Sequence, residues 1–213
     1  MNSSRTEKSM NHPALDLIEQ RASTNHFDPS HRLETSEIQR LVQLATRAPT
    51  AYNLQNWRFI AVCTPEAKRT LRALAYGQAK VSEAAATFIV CGLLPDPHAL
   101  ADRLRPFVEA GHMPASLAAA WQEDAQAKYA DARAARDEAI RSASLGTATL
   151  IHAASALGLA SSPMSGFDAA GVARAFGLAG HELPVMLVPV GRAAPGNWPQ
   201  KPRRPLAEVL EIA

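Results

Sequence analysis

Four short polar clusters hold most of the side chains in this chain that could act on a ligand together. Arg21-Ala22-Ser23-Thr24-Asn25 combines a guanidinium, hydroxyls and an amide. Lys201-Pro202-Arg203-Arg204 adds cations near the other terminus, stiffened by proline, and an arginine fork with a lysine point charge makes a sensible phosphate clamp. Between them, Pro49-Thr50-Ala51-Tyr52-Asn53-Leu54-Gln55-Asn56-Trp57 sets amides and a hydroxyl beside a tryptophan. Asn and Gln both donate and accept, which suits the alternating edge of a pyrimidine-like ring. Pro163-Met164-Ser165-Gly166 puts a glycine in a turn, where a backbone N–H can approach a ligand closely. Together the clusters fit a phosphorylated, planar, polar ligand. Each taken singly also fits a solvated basic turn or a loop whose amides cap backbone groups.

Other chemistries find no support in the spacing. No GxGxxG follows a strand, and there is no phosphate-binding P-loop. His181-Glu182 lacks the second histidine of a zinc-protease helix, because Val185 stands in its place. Ser165-Gly166 has Pro163 where a nucleophile elbow needs glycine. Cys63 and Cys91 are far apart and form no CxxC, so no metal site is expected and a reducing compartment is the simplest setting.

The elements that must position the clusters follow from periodicity and caps. A short amphipathic helix is expected over 12–21, then a polar connector to Glu34. Ser36 with Gln39 reads as a capping box for a helix that runs toward Pro49. Residues 57–63 and 86–93 read as strands; the second is too uniformly apolar to have a wet face, so helices should cover both sides. Thr64-Pro65 starts a helix between them. Residues 99–135 should be mostly helical with a break at 111–114, and a long helix over 136–157 should end at Gly158. Along that helix Ala139, Ala143, Gly146, Leu150 and Ala154 form a stripe of small residues that permits close helix approach. Asp168 caps a further helix that stops at Gly177, and 185–190 is a third strand. Interleaved strands and helices give a three-layer α+β or α/β domain.

Lys plus Arg number 22 against 20 for Asp plus Glu, a net charge of only +2, which gives no broad field for nucleic acid or a membrane surface. Residues 1–20 contain no apolar core of signal-peptide length, and the longest solid apolar run, 84–94, is too short for a membrane span. A cytoplasmic protein is expected. Residues 1–12 read as a flexible leader and 13–213 as one domain, whose proline-rich 192–213 segment tends to lie across another surface.

Arg21-x-Ser23-x-Asn25-x-Phe27, Ala48-Pro49-Thr50-x-x-Asn53-x-Gln55-x-Trp57-x-Phe59, Pro163-x-x-Gly166-Phe167-Asp168 and Lys201-x-Arg203-x-Pro205, in that order, resemble the nitroreductase family across about residues 15 to 210. The resemblance implies a three-layer α/β/α fold with a mixed central sheet, in an intertwined homodimer, and an FMN-dependent NAD(P)H oxidoreductase. It also implies a ping-pong cycle that reduces nitroaromatics, quinones or similar electron-poor small molecules, with the chemistry carried by FMN and no catalytic side chain of its own. Arg21, Ala22, Ser23, Lys201 and Arg203 are implied at the FMN phosphate and ribityl chain. Asn25 and Lys80 would face the pyrimidine edge, with Lys80, in a Tyr76-Gly77-Gln78-Ala79-Lys80 segment similar to the family's, stabilising negative charge near N1. Pro49, Thr50, Ala51, Asn53 and Gln55 would reach the flavin of the other subunit. Pro163, Met164, Ser165 and Gly166 would lie along the ring, and the small-residue stripe fits a dimer contact. Asn25 stands where a basic residue is frequent, Asn56 where proline is, and Ser165 where an acid is. The binding motifs alone fit equally an FMN protein for flavin storage, sensing or breakdown.

Overall fold

A computed structural model describes residues 12–213; the expected leader lies, apart from His12, outside the described residues. Strand β1 (Trp57–Val62) pairs with β2 (Ala86–Leu93), β2 with β4 (Glu182–Gly191), and β4 with the two-residue β3 (Ala160–Ser161), in the order β1-β2-β4-β3. All these pairings are antiparallel; the parallel character expected of a mixed sheet is confined to a bridge between Ser23 and Ser161.

Strand alternation sorts the core into two layers. From β2, Phe88 and Val90 face the same side as Val188 and Val190 of β4, and pack under α2 (Thr35–Ala45) and α7 (Ala132–Ala156). Ile89, Cys91 and Leu187 face the other side, with Leu71 of α3 (Pro65–Leu74), Val81 of α4 (Lys80–Glu83) and Val172 of α8 (Ala169–Ala175). A third cluster joins Leu54 to α5 (Leu100–Glu109) and α6 (Ala115–Tyr129). The expected three layers are present, with α1 (Pro13–Gln20) lying outermost and burying none of its residues.

Caps explain most boundaries. Thr64 accepts from the Ala67 N–H and Asp168 from the Gly171 N–H, as the sequence predicts. The capping box sits two residues earlier than expected: Glu37 accepts from the Glu34 N–H at 2.8 Å, because the acid at the third helical position is the better acceptor. Asp131 caps α7 and starts it four residues before the expected 136. Strand β4 begins three residues before the expected 185. Pro184 is tolerated there because the register shifts between Val90 and Cys91, so the proline falls at a bulge. Strand β3 is too short to leave a period in the sequence.

The small-residue stripe is a correction. Ala139, Ala143, Gly146, Leu150 and Ala154 are buried within this chain, against its own sheet and α2. The approach is so close that a Cβ on Gly92 would lie 2.3 Å from the Ala139 carbonyl oxygen. The stripe belongs to the intramolecular core rather than to a dimer contact. Among the described residues, no helix is long and apolar enough to cross a membrane.

Candidate functional site

The two ends of the chain meet. Phe27 bridges to Ala193, the Asp28 N–H donates to the Arg192 carbonyl, and Ala194 N–H to that of His26. Asn197 fastens the junction: its Oδ1 accepts from the backbone N–H groups of Asn25 (2.7 Å) and His26 (3.0 Å), and its Nδ2 donates to the His26 and Ala194 carbonyls. Gly196, at φ +88°, makes the turn that presents it. Gln200 adds a bond from Nε2 to the Arg21 carbonyl at 2.8 Å.

This clasp assembles a small cleft of about 90 Å³ lined by Arg21, Ala22, Ser23, Lys201 and Arg203, with Trp198 as a further wall. Arg21 donates to the Ser23 hydroxyl at 3.4 Å and Arg203 to the Lys201 carbonyl at 2.7 Å. The Lys201 ammonium stands 5.7 Å from the centre of the Trp198 ring. Arg204, the neighbouring cation, does not join: it pairs with Glu208 at 3.0 Å.

Two hydrogen bonds tie the next predicted residues together. Lys80 at the start of α4 donates to the buried Ser162 hydroxyl at 3.2 Å, and Gln78 donates to the Gly166 carbonyl at 3.0 Å. Burial first, and the charge of Lys201 second, lower the Lys80 ammonium below its ordinary range. That coupling puts Lys80 within the electrostatic reach of the cleft. Met164 exchanges both backbone bonds with Leu187, so Pro163 and Met164 are held on the sheet while Ser165 and Gly166 stay exposed. Thr24 N–H donates to the Ser161 carbonyl and completes the join to the N-terminal cluster.

Among the described residues, no carboxylate lies within ion-pair distance of Arg21, Lys80, Lys201 or Arg203. A set of cations without a counter-charge, with a hydroxyl among them, is the donor chemistry a phosphate dianion requires.

The remaining predicted cluster lies elsewhere in the chain. Tyr52, Asn53 and Gln55 all adopt positive φ (52°, 58° and 47°), a conformation that L residues enter at a cost. The Thr50 hydroxyl accepts from the Gln55 N–H at 3.0 Å, Arg103 donates to the Leu54 carbonyl, and Tyr52 meets Trp121 and Tyr129 edge-on. Asn53 thereby borders an apolar cavity of about 540 Å³ formed by α5 and α6, while Pro49 and Ala51 flank the turn. Sequence reasoning missed Asn197, Gln200, Trp198 and Ser162. A Gly196-Asn197 turn pair was a readable signal for the first; the rest depend on tertiary approach.

The sequence pattern of the nitroreductase family matches residues 18–192, and the chain belongs to that family. Among its relatives, YodC of Bacillus subtilis, which carries the name of an NAD(P)H nitroreductase, is 30% identical over 196 residues, covering 92% of this chain and 96% of YodC. A protein of Thermus thermophilus named NADH dehydrogenase is 35% identical over 174 residues, covering 81% and 83%. A crystal structure from Exiguobacterium sibiricum, described as a nitroreductase in complex with FMN, superposes with a TM-score of 0.85 at 27% identity and covers 93% of this chain and 96% of that one.

Proposed function

We propose that this protein is an FMN-dependent oxidoreductase that takes electrons from NAD(P)H and passes them to nitroaromatic, quinone or similar electron-poor acceptors, acting as a homodimer. The observation that carries the reading is the meeting of Arg21, Lys80, Lys201 and Arg203, from separate parts of the sequence, with no carboxylate among the described residues within ion-pair distance of them. The relative solved with FMN and those named for NAD(P)H or NADH point the same way.

Arg21, Ser23, Lys201 and Arg203 would hold the phosphate, with the Ala22 backbone beside it. Lys80 and Asn25 would stand at the pyrimidine edge, and Pro163 to Gly166 would line the ring. When bound, FMN supplies the two-electron chemistry that no side chain here offers. The protein's part is to bind, orient and stabilise. Lys80 carries a charge that burial opposes, so it gains most from negative charge arriving beside it, as an oxyanion-hole donor does. Ser162 fixes the direction of that ammonium. The open face beside Ser165 and Gly166 lets donor and acceptor visit in turn.

Pro49, Thr50, Ala51, Asn53 and Gln55 belong to the reading through a second copy, which would bring this turn to the other chain's flavin. Exposed apolar residues support that copy: Leu15 and Ile18 on α1, and Leu206, Val209, Leu210 and Ile212 in the tail, the last 88% exposed. The tail would then cross to the partner.

The test is direct. Purified protein is expected to be yellow, dimeric by sedimentation, and bleached anaerobically by NADH or NADPH, with colour restored by a quinone. A colourless monomer that takes up no added FMN would overturn the reading; a yellow protein that neither nicotinamide bleaches would leave flavin binding and remove the reductase.

A further inference from the structure

A second group of uncompensated cations lies away from the clasp, and the flavin reading does not use it. Lys68 of α3 is only 6% exposed, yet its ammonium finds one hydrogen bond, to the Ala84 carbonyl. It lines a cavity of about 250 Å³ together with Arg32, Arg69 and the Cys63 thiol. Arg32 spends one nitrogen on the Pro29 and His31 carbonyls and keeps the rest of its fork free. Among the described residues, none of Arg32, Lys68 and Arg69 has a carboxylate within ion-pair distance.

That arrangement is costly unless something answers it. A buried ammonium with one acceptor keeps unsatisfied N–H directions, and burying an unpaired charge is among the more expensive things a fold can do. The penalty is visible in the group itself: burial first, and Arg32 second, pull the Lys68 ammonium below its ordinary range, with Cys63 opposing weakly. A surface lysine could escape by turning to water; this one is held by α3 against the end of α4.

We propose that this cavity is a binding site for a small tetrahedral oxyanion of the phosphate or sulfate class, with Lys68 at its floor and the Arg32 and Arg69 guanidiniums at its rim. The anion supplies the acceptors that Lys68 lacks and separates three like charges. The volume admits such an ion with water, whereas a nucleotide base would want an aromatic ring to stack on, and the lining residues include none. Occupancy would brace α3 against the 29–32 turn without touching the flavin clasp.

Cys63 is a local reporter. Its thiol is partly exposed in the cavity wall, where burial pushes it up and Lys68 offsets only part of that rise, while Cys91 is fully buried and pushed up to about 12, chiefly by that burial. Alkylation of Cys63 by neutral N-ethylmaleimide, read by peptide mass with saturating FMN present to fill the clasp, is expected to slow at least threefold and saturably with inorganic phosphate. Chloride at matched ionic strength should not slow it. Arg69→Gln, at an exposed position, and Lys68→Met should each abolish the protection. Equal rates in phosphate and chloride would overturn the proposal, and so would protection that survives in Arg69→Gln, the variant that decides if Lys68→Met does not fold. The proposal stands apart from the flavin reading and can fail or hold without it.

Discussion

Glu182 opens β4 and Gly191 closes it, and the charges gathered beyond these two residues are arranged in opposite ways. At the first end, buried Glu182 accepts from Arg58 at 2.9 Å through both oxygens and from the Ala179 N–H at 2.8 Å. Burial alone would raise this carboxyl; Arg58 and Ala179 more than offset it and hold it below its ordinary range. At the other end the chain runs into the clasp, where Lys201, Arg203, Arg21 and Lys80 share a neighbourhood and none, among the described residues, has a carboxylate within ion-pair distance. One sheet thus carries a neutralised end that stabilises the fold and, at its other end, a group of cations that no described carboxylate pairs. Charges satisfied inside the chain build structure, and charges left over mark where something else must bind.

The largest effect expected comes from the neutralised end. Gly92 sits opposite Trp57 and Leu183 in the sheet, and a Cβ there would run into backbone, at 2.3 Å from the Ala139 oxygen, where no side-chain rotation can relieve it. Gly92→Ala should cost about 3 kcal/mol or more, read as a fall in the urea midpoint at constant m-value. The charged end should respond in ligand affinity instead. Replacing both Arg21 and Arg203 by alanine removes charge-assisted bonds worth about 1.5–3 kcal/mol each. FMN affinity measured by fluorescence quenching should drop at least ~100-fold, while the ligand-free protein keeps or slightly gains stability because like charges have been thinned. Loss of apo stability in that variant would break the comparison.

A smaller effect separates the ends by pH. The Glu182 pair contributes stability that is fully present above the carboxyl's ordinary value of 4.5 and is lost as pH falls through its lowered folded value. Arg58 is half exposed, so Arg58→Met should cost about 1–2 kcal/mol rather than the 3–5 of a fully buried pair. The same variant should flatten the acid limb of the stability profile. Lys80 has the opposite sign: its folded value is lowered, so its unfavourable contribution fades as pH rises toward 10.5. Bound FMN should diminish that gain, a difference that melting curves with and without flavin would read.

How much of this was legible depended on whether the cause was local. Thr64-Pro65, Asp168 and Gly158 announced their boundaries because caps act over three or four residues. The uniformly apolar 86–93 run announced a strand covered on both faces. What was not legible lay in contacts between distant segments. The stripe on α7 states only that something packs closely there, and small residues accept a partner helix or the chain's own sheet equally well. The four polar clusters stand out in the sequence by residue type, yet periodicity could not show that 21–25, 80, 163–166 and 201–203 approach one another while 49–55 departs toward α5 and α6. Asn197 shows the limit most clearly: it sits in a turn like many surface asparagines, and only the folded chain brings it to the backbone of residues 25 and 26.

The smallest effect tests the comparison at a single peptide bond. Arg203 and Arg204 are adjacent and chemically identical, and residue type alone gives no ground for ranking them; only the Lys201-x-Arg203-x-Pro205 resemblance favours the first. In the fold Arg203 borders the cleft with its guanidinium turned to the Lys201 carbonyl, whereas Arg204 reaches Glu208 one short turn away. That pair is exposed on both sides, so water already screens it and its loss should hardly register. Arg204→Gln should therefore leave both melting temperature and FMN affinity within error of the parent, while Arg203→Gln weakens flavin binding about tenfold, one charge-assisted bond's worth. Equal losses from the two substitutions would mean that bulk positive charge in the tail, rather than its disposition around the cleft, is what recruits the ligand. The contrast between satisfied and unsatisfied cations would then fail at the place where it is drawn most finely.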